Sequence, residues 1–154
     1  MSLLQSLQTD CQVRLQAQTF FSALPVIPVY IEIQKDVQSQ LNGTLARLGV
    51  GVIMLSARLS NKSPAAGMYP KWDRAALVAR VIENVVVNRS SVGTGQPADL
   101  IAECVAYYLH SWAPAATGNK LMCDNVELVD DPRALIYDVH VFTGGVTQTA
   151  PVRI

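Results

Sequence analysis

The chain has 154 residues, half of them hydrophobic, which is the length of one ordinary domain with enough apolar side chain to bury a core. Twelve lysines and arginines balance twelve aspartates and glutamates, so no net field draws the protein onto nucleic-acid phosphates or an anionic membrane. Only 16% of residues are charged and the mean hydropathy is positive, which predicts apolar surface that self-association would cover.

At the start, Leu4, Leu7, Cys11 and Leu15 recur at intervals of three and four, the stripe of an amphipathic helix with a glutamine-rich, solvated opposite face. "VIPVYIE" is β-branched and aromatic but contains Pro28, which restricts it to a short or edge strand. Val37, Leu41, Leu45 and Leu48 then return to helical spacing, closed by Gly49 and weakened by Gly43 within. "GVGVIMLSARL" follows as a strand apolar on both faces in its first half, which predicts a central place in a sheet. The loop "SNKSPAAGMYPKW" carries Met68, Tyr69 and Trp72, large side chains that either fold over the core edge or dock on a neighbour.

The apolar run over 74–88 is expected to form the longest strand, interrupted by Arg80, Glu83, Asn84 and Asn88. Glu83 and Asn84 suit either a buried hydrogen bond or a contact with another subunit. Beyond the loop "RSSVGTGQP", Pro97 and Asp99 suit a helix start, and Leu100, Ile101, Cys104, Val105, Tyr108, Leu109 and Trp112 form its wide apolar stripe. Two strands around the turn "DDPR" complete a hairpin with one buried face, and 144–154 read as a mobile tail. The expected order is α-β-α-β-β-α-β-β: one α+β domain over 1–154 with a mixed or mainly antiparallel sheet.

The residues that reactions need are sparse. A strand, Gly93-Thr94-Gly95 and a helix have the outline of a phosphate loop, but a third glycine and a lysine are missing and Pro97 removes an amide donor. Cys104 and His110 lie six apart, on opposite sides of one helix, so they form no nucleophile and base pair. Cys11, Cys104 and Cys123 have no metal-ligand spacing and read as reduced structural thiols. The two histidines lack H-x-x-x-H spacing and no carboxylates cluster in the sequence, so no metal, cofactor or catalytic residue is expected. No apolar run is long enough to span a membrane, no signal peptide opens the chain, and a cytoplasmic site of synthesis is expected.

Three phrases, "IPVYIEIQKDVQSQLNGTLARLGVGVIML", "ARVIENVVVNRSSVGTGQPADLIAECVAYYLHSW" and "LVDDPRALIYDVHVFT", resemble the tail-terminator, or tail-completion, proteins of long-tailed bacteriophages and prophages, the family of the minor tail protein U. The resemblance spans 27–143. It implies a subunit of a ring, commonly a hexamer, that sits on the head-proximal end of the tail tube, stops tube growth and meets the head-completion or connector protein, without an active site. It also implies assembly in the host cytoplasm and a final place in the virion tail. The family supplies no fixed functional residue, so the expected subunit or partner contacts come from the residues themselves: Met68, Tyr69, Trp72, Glu83, Asn84, Arg89 and Thr94. Two other readings remain: a neck or baseplate component of the same fold, and a small-ligand module or enzyme with a pocket between the main helix and the sheet, near Cys104, Tyr107 or His110.

Overall fold

A capping box opens the first helix. In the computed structural model, which describes residues 1–151 apart from the Ala57 side chain, Ser2 Oγ accepts the Gln5 amide and Gln5 Oε1 accepts the Ser2 amide. Two orphan donors of α1 (Leu3–Gln16) are thereby satisfied reciprocally. Leu7, Cys11 and Leu15 are buried, as their spacing predicts. The glutamine face, however, is only partly solvated. Gln8 is buried and donates to Glu32 Oε1 at 3.0 Å, while Gln12 and Gln16 donate to the Val29 carbonyl. After the short α2 (Thr19–Ser22), Val29 opens the strand β1 (Val29–Ile31), which lies at one edge of the sheet. The glutamines supply donors that a neighbouring strand would otherwise give.

The remaining elements are α3 (Val37–Arg47), β2 (Val50–Ser60), β3 (Lys71–Trp72), β4 (Arg74–Glu83), α4 (Val85–Asn88), α5 (Ala98–Leu109), β5 (Met122–Val129), β6 (Leu135–Thr143) and β7 (Val146–Thr147). The main sheet has the order β1-β2-β4-β6-β5, with β1 parallel to β2 and every other pair antiparallel. Its long elements follow the expected order, and the fold is α+β with a mixed sheet.

Alternation along β2 assigns the two faces. Val50, Val52 and Met54 point to the core, where Ala75, Leu77, Ala79 and Val81 of β4 and Val139 and Val141 of β6 meet α1 and α5. Burying each large side chain there, such as Ile101 or Leu109, contributes roughly 1.5–3 kcal/mol. Gly51 and Ile53 point to the other face, which α3 covers. A Cβ at Gly51 would lie 3.1 Å from Leu41 Cδ1, so the glycine lets the helix approach closely. Among the strands α3 packs mainly on β1 and β2, which leaves the face over β4, β6 and β5 largely open.

Two expectations are corrected at the strand ends. The strand expected over 74–88 stops at Glu83, because Asn84 accepts the Val87 amide and caps α4, whose Val86 is 83% exposed. Valines favour strands, but a cap outweighs that preference over four residues. The hairpin β5–β6 forms around the expected turn, yet only β6 has buried positions in quantity; β5 is the outermost strand, with Met122, Val126 and Leu128 exposed.

Of the expected tail, Val146 and Thr147 pair with Trp72 and Lys71 in a second, two-stranded sheet, and Trp72 Nε1 donates to Gln148 Oε1 at 2.8 Å. Residues 152–154 of that tail lie outside the described residues. Among the described residues, no helix is long and apolar enough to cross a membrane.

Candidate functional site

At the end of β4, Glu83 is 0% exposed. Its carboxylate accepts Asn88 Nδ2 at 2.7 Å, Arg89 Nε at 3.2 Å and the Ala98 amide at 3.0 Å. Ala98 is the first residue of α5, so the charge sits at the positive end of that helix and serves it as a cap where Pro97 offers no side-chain bond. The hydrogen bond that it donates to Glu83 raises the Arg89 guanidinium above its ordinary range. The Glu83 carboxylate is thus engaged inside the protomer, in the buried hydrogen bonds that its place in an apolar strand also suits.

Asn88 organises the loop that follows. Its Nδ2 also donates to the Gln96 carbonyl, and its Oδ1 accepts both the amide and the hydroxyl of Thr94. Thr94, another expected contact, is thus turned inward. A Cβ at Gly93 would lie 2.2 Å from the Asn88 carbonyl oxygen, and one at Gly49 would lie 2.2 Å from the Asn88 nitrogen. The G-T-G segment is where the backbone crosses over Asn88, which accounts for its glycine without a phosphate. Of this group of candidates, Asn84, Arg89 and Thr94 retain exposed surface: Thr94 and Asn84 are half-buried, Asn84 caps α4 and lines the cleft described next, and the Arg89 side chain is 52% exposed beside its bond to Glu83.

The uncovered face of the sheet holds a cleft of about 560 Å³. Leu41, Asn42 and Leu45 of α3 form one wall, Ile53, Leu55, Ile82 and Ile136 the floor, and the β5–β6 turn with Asp131 and Arg133 the far wall. Across the floor Arg80 donates to both oxygens of Asp138, at 2.8 and 2.9 Å. These residues are register partners on β4 and β6, which aligns the fork with the carboxylate. The hydrogen bonds to Asp138 raise the Arg80 guanidinium further above its ordinary range. Beyond them His140 Nε2 lies 2.8 Å from Glu127 Oε1, and Arg74 both bonds Asp124 at 2.7 Å and stacks on the Phe142 ring.

Glu127, Asp138 and His140 bring ligand atoms within 4.8 Å of one another, a juxtaposition that the sequence does not reveal. Both oxygens of Asp138 accept from Arg80, so the charge of that carboxylate is already neutralised by an ion pair within the chain. The other reactive candidates are similarly engaged. His110 Nδ1 accepts the Cys123 amide at 3.1 Å. Burial pushes the Cys11 thiol far up, and burial with nearby Glu103 and Asp124 raises Cys104 and Cys123. Between α5 and the sheet, where the small-ligand reading placed its pocket, Ile101, Ala102, Val105 and Leu109 are wholly buried, and Tyr107 faces outward.

The remaining expected contacts lie at the opposite end of the sheet. Met68 is 86% and Tyr69 49% exposed, on the loop between β2 and β3, whereas Trp72 is half-buried in β3 with its indole nitrogen bonded. Met68 does not fold back on the core edge. The sequence does not single out the cleft, because its walls come from α3, β2, β4 and the β5–β6 turn, brought together by a register that the chain order leaves open.

The fold is similar to that of a chain in the virion of a native gene transfer agent (GTA) particle, with TM-score 0.56 and 15% identity over 92% of this chain and 94% of that one. A second solved chain, which carries no functional description, matches with TM-score 0.52 and 12% identity over 96% of this chain and 94% of its own. No protein-family model matches the sequence, and no curated protein matches it. At these identities the likeness establishes a shared fold.

Proposed function

We propose that the chain is a structural subunit of a phage-like particle, of the tail-terminator type, which assembles into a closed ring of six copies on the head-proximal end of the tail tube. The ring stops tube growth and offers its other side to a head-completion or connector protein. The observation that carries this reading is the similarity of fold, nearly end to end, to a chain of a gene transfer agent virion. The distribution of exposed apolar groups supports it: Met68 and Tyr69 stand at one end of the sheet, and Val85, Val86 and the cleft at the other. Unlike surfaces at opposite ends suit head-to-tail contacts, which form rings when the rotation closes. The subunit acts by binding, without a catalytic step, metal or cofactor. In support, the carboxylates and imidazoles that chemistry would draw on are engaged in structural bonds. Assembly takes place in the host cytoplasm and the product resides in the virion tail.

The test combines mass and place. Light scattering is expected to give a multiple of the protomer mass, and purified tail tubes incubated with the protein are expected to show a cap at one end by electron microscopy and to stop elongating. Caps at the baseplate end would assign the same fold to the other terminus of the tail. Tubes that grow unhindered, with a protein that stays monomeric beside them, would refute the reading.

A further inference from the structure

One edge of the main sheet is sealed by side chains and the other is open. Along β1 the Val29 carbonyl accepts Gln12 and Gln16, and the Ile31 amide donates to Gln34 Oε1 at 3.0 Å. Along β5, at the opposite edge, the Cys123 amide donates to His110 Nδ1; among the described residues, no other bond beyond the ladder with β6 reaches the backbone of 122–129. The segment 122–129 holds neither lysine nor proline, the residues that commonly block an edge. Its two acids are occupied within the chain, Asp124 by Arg74 and Glu127 by His140. The single bulge lies between Cys123 and Asn125, which leaves 125–129 in regular register with Val126 and Leu128 exposed. Such an edge is a template for a strand of another chain.

What a second copy offers selects the strand. Its β1 edge is sealed and its β3 and β7 have two residues each, so among the described strands its own β5 is the open edge of matching length. In an antiparallel pair, directly opposed residues share a face, so a twofold axis between identical strands passes through a residue and not between two. That excludes the register setting Asp124 against Glu127. An axis at Glu127 would oppose two carboxylates, and one at Asn125 would set Glu127 against Cys123. An axis at Val126 sets Val126 on its counterpart with Leu128 reaching it diagonally, both on the α5 side, where their β6 partners are Val139 and Tyr137. On the other side, where the β6 partners are His140 and Asp138, the Asn125 amide meets the Glu127 carboxylate twice by symmetry, and His140 occupies only Oε1. We infer that β5 of one copy pairs antiparallel with β5 of a second through a twofold axis at Val126, which makes one continuous sheet across both. The contact goes beyond the ring reading and does not depend on it: it closes at two copies and uses the side of the sheet, whereas head-to-tail contacts join its ends.

Symmetry makes the test specific to position. In a background with Cys104→Ser and Cys123→Ser, Val126→Cys places a thiol beside its own counterpart, whereas Leu128→Cys is offset from its counterpart by about 13 Å along the strand, beyond the roughly 7 Å between Cα atoms that a disulfide spans. Under mild oxidation Val126→Cys is expected to give linked dimers at about tenfold the yield of Leu128→Cys, because pairing raises the local thiol concentration. Hydrogen exchange reads the same contact without cysteines: amides of 125–129 are expected to slow as protein concentration rises. Val126→Lys, which sets two like charges on the axis, should abolish that slowing with the urea midpoint near wild type, since the position lies on the outermost strand. Equal linking at both positions, or exchange that ignores concentration in the wild type, would overturn the pairing. Protection that arises only when tail tubes are added would overturn it as well, and give the edge to a strand of the tube. Links at Val126→Cys in a protein that never caps tubes would leave the contact standing while the ring reading fails; caps without such links would do the reverse.

Discussion

The Glu83→Gln substitution separates the two roles that the sequence allows this residue. Glutamine keeps the shape of the side chain but turns one acceptor into a donor. In the wild type Oε1 accepts the Ala98 amide and Oε2 accepts Asn88 Nδ2 and Arg89 Nε. Whichever way the amide is turned, its NH2 faces a donor in a site with no solvent exposure. An unmatched buried donor costs about 1–3 kcal/mol, and the surviving bonds lose the charge that makes each worth about 1.5–3 kcal/mol. A total near 3 kcal/mol follows, at the low end of the ~3–5 kcal/mol expected when a buried charged pair loses one partner. With a urea slope of about 1–3 kcal/mol per molar, the midpoint should fall by roughly 1–3 M without a change of slope. The corresponding loss in melting temperature is about 6–12 °C for a chain of this size. Unfolding followed by tryptophan fluorescence and far-UV circular dichroism, at equal protein concentrations, measures this directly. A midpoint within about 0.3 M of wild type, combined with a reduced assembly mass, would refute the interior role and restore Glu83 as a subunit contact.

Two glycines should respond oppositely to alanine. Gly93→Ala puts a Cβ against the Asn88 backbone and should destabilise by about 1–3 kcal/mol, whereas Gly43→Ala, in open space on α3, should stabilise by about 0.5–1 kcal/mol; urea midpoints of both variants check the sign. Burial alone would raise the Glu32 carboxyl, but the Ser56 hydroxyl and amide and Gln8 donate to it and hold it below its ordinary 4.5. Its contribution is therefore complete above pH 4.5 and lost as pH falls through the lowered folded value. Glu32→Gln should cost under about 1 kcal/mol at neutral pH, given its partial exposure, and the gap to wild type should close as the pH drops below that window. A disulfide-exchange reagent at pH 7 should leave Cys11 untouched until the protein unfolds and modify Cys104 and Cys123 more slowly than a free thiol; rapid labelling of all three would contradict the raised thiols.

Periodicity made the long elements legible. The stripe of Leu7, Cys11 and Leu15, the two-faced apolar start of β2 and the stripe of α5 each reflect one face buried along several turns or pleats, and several contacts average out a local exception. Short polar devices escaped for the opposite reason. Asn84 stops β4 by a single capping bond, and the valines after it retain the composition of a strand. The glutamine bonds of α1 escaped because their partner is an edge carbonyl whose position depends on how the sheet is assembled. For the site, Arg80 and Asp138 announce themselves as polar interruptions of apolar strands, but only the β4–β6 register makes them a pair, and only the placement of α3 makes a cleft beside them.

The two ends of the β2–β4 ribbon are held by different physics, and the difference would give them different parts in the proposed ring. At the cleft end, the carboxylate of Glu83 ties β4, α4, the 89–96 loop and α5 together, and Asn88 is clasped between the close-approaching Gly49 and Gly93. That end is fixed before any neighbour arrives, since moving one member strands buried polar groups in the others. At the other end, in the loop 61–70, Asn61 donates to the Lys71 carbonyl, Lys62 to Asp73, and Gln148 to the Pro70 carbonyl, all at the root; among the described residues, no hydrogen bond reaches 64–69. A segment secured only at its base opens locally at little cost. In the proposed ring, contacts made by such a loop would absorb small errors in the rotation between subunits that the rigid end could not, a demand that closure places on the last contact formed. On that proposal, stiffening the loop with Ala66→Pro should slow or reduce ring closure while leaving the unfolding midpoint unchanged, and an unaltered assembly rate would show that its compliance plays no part.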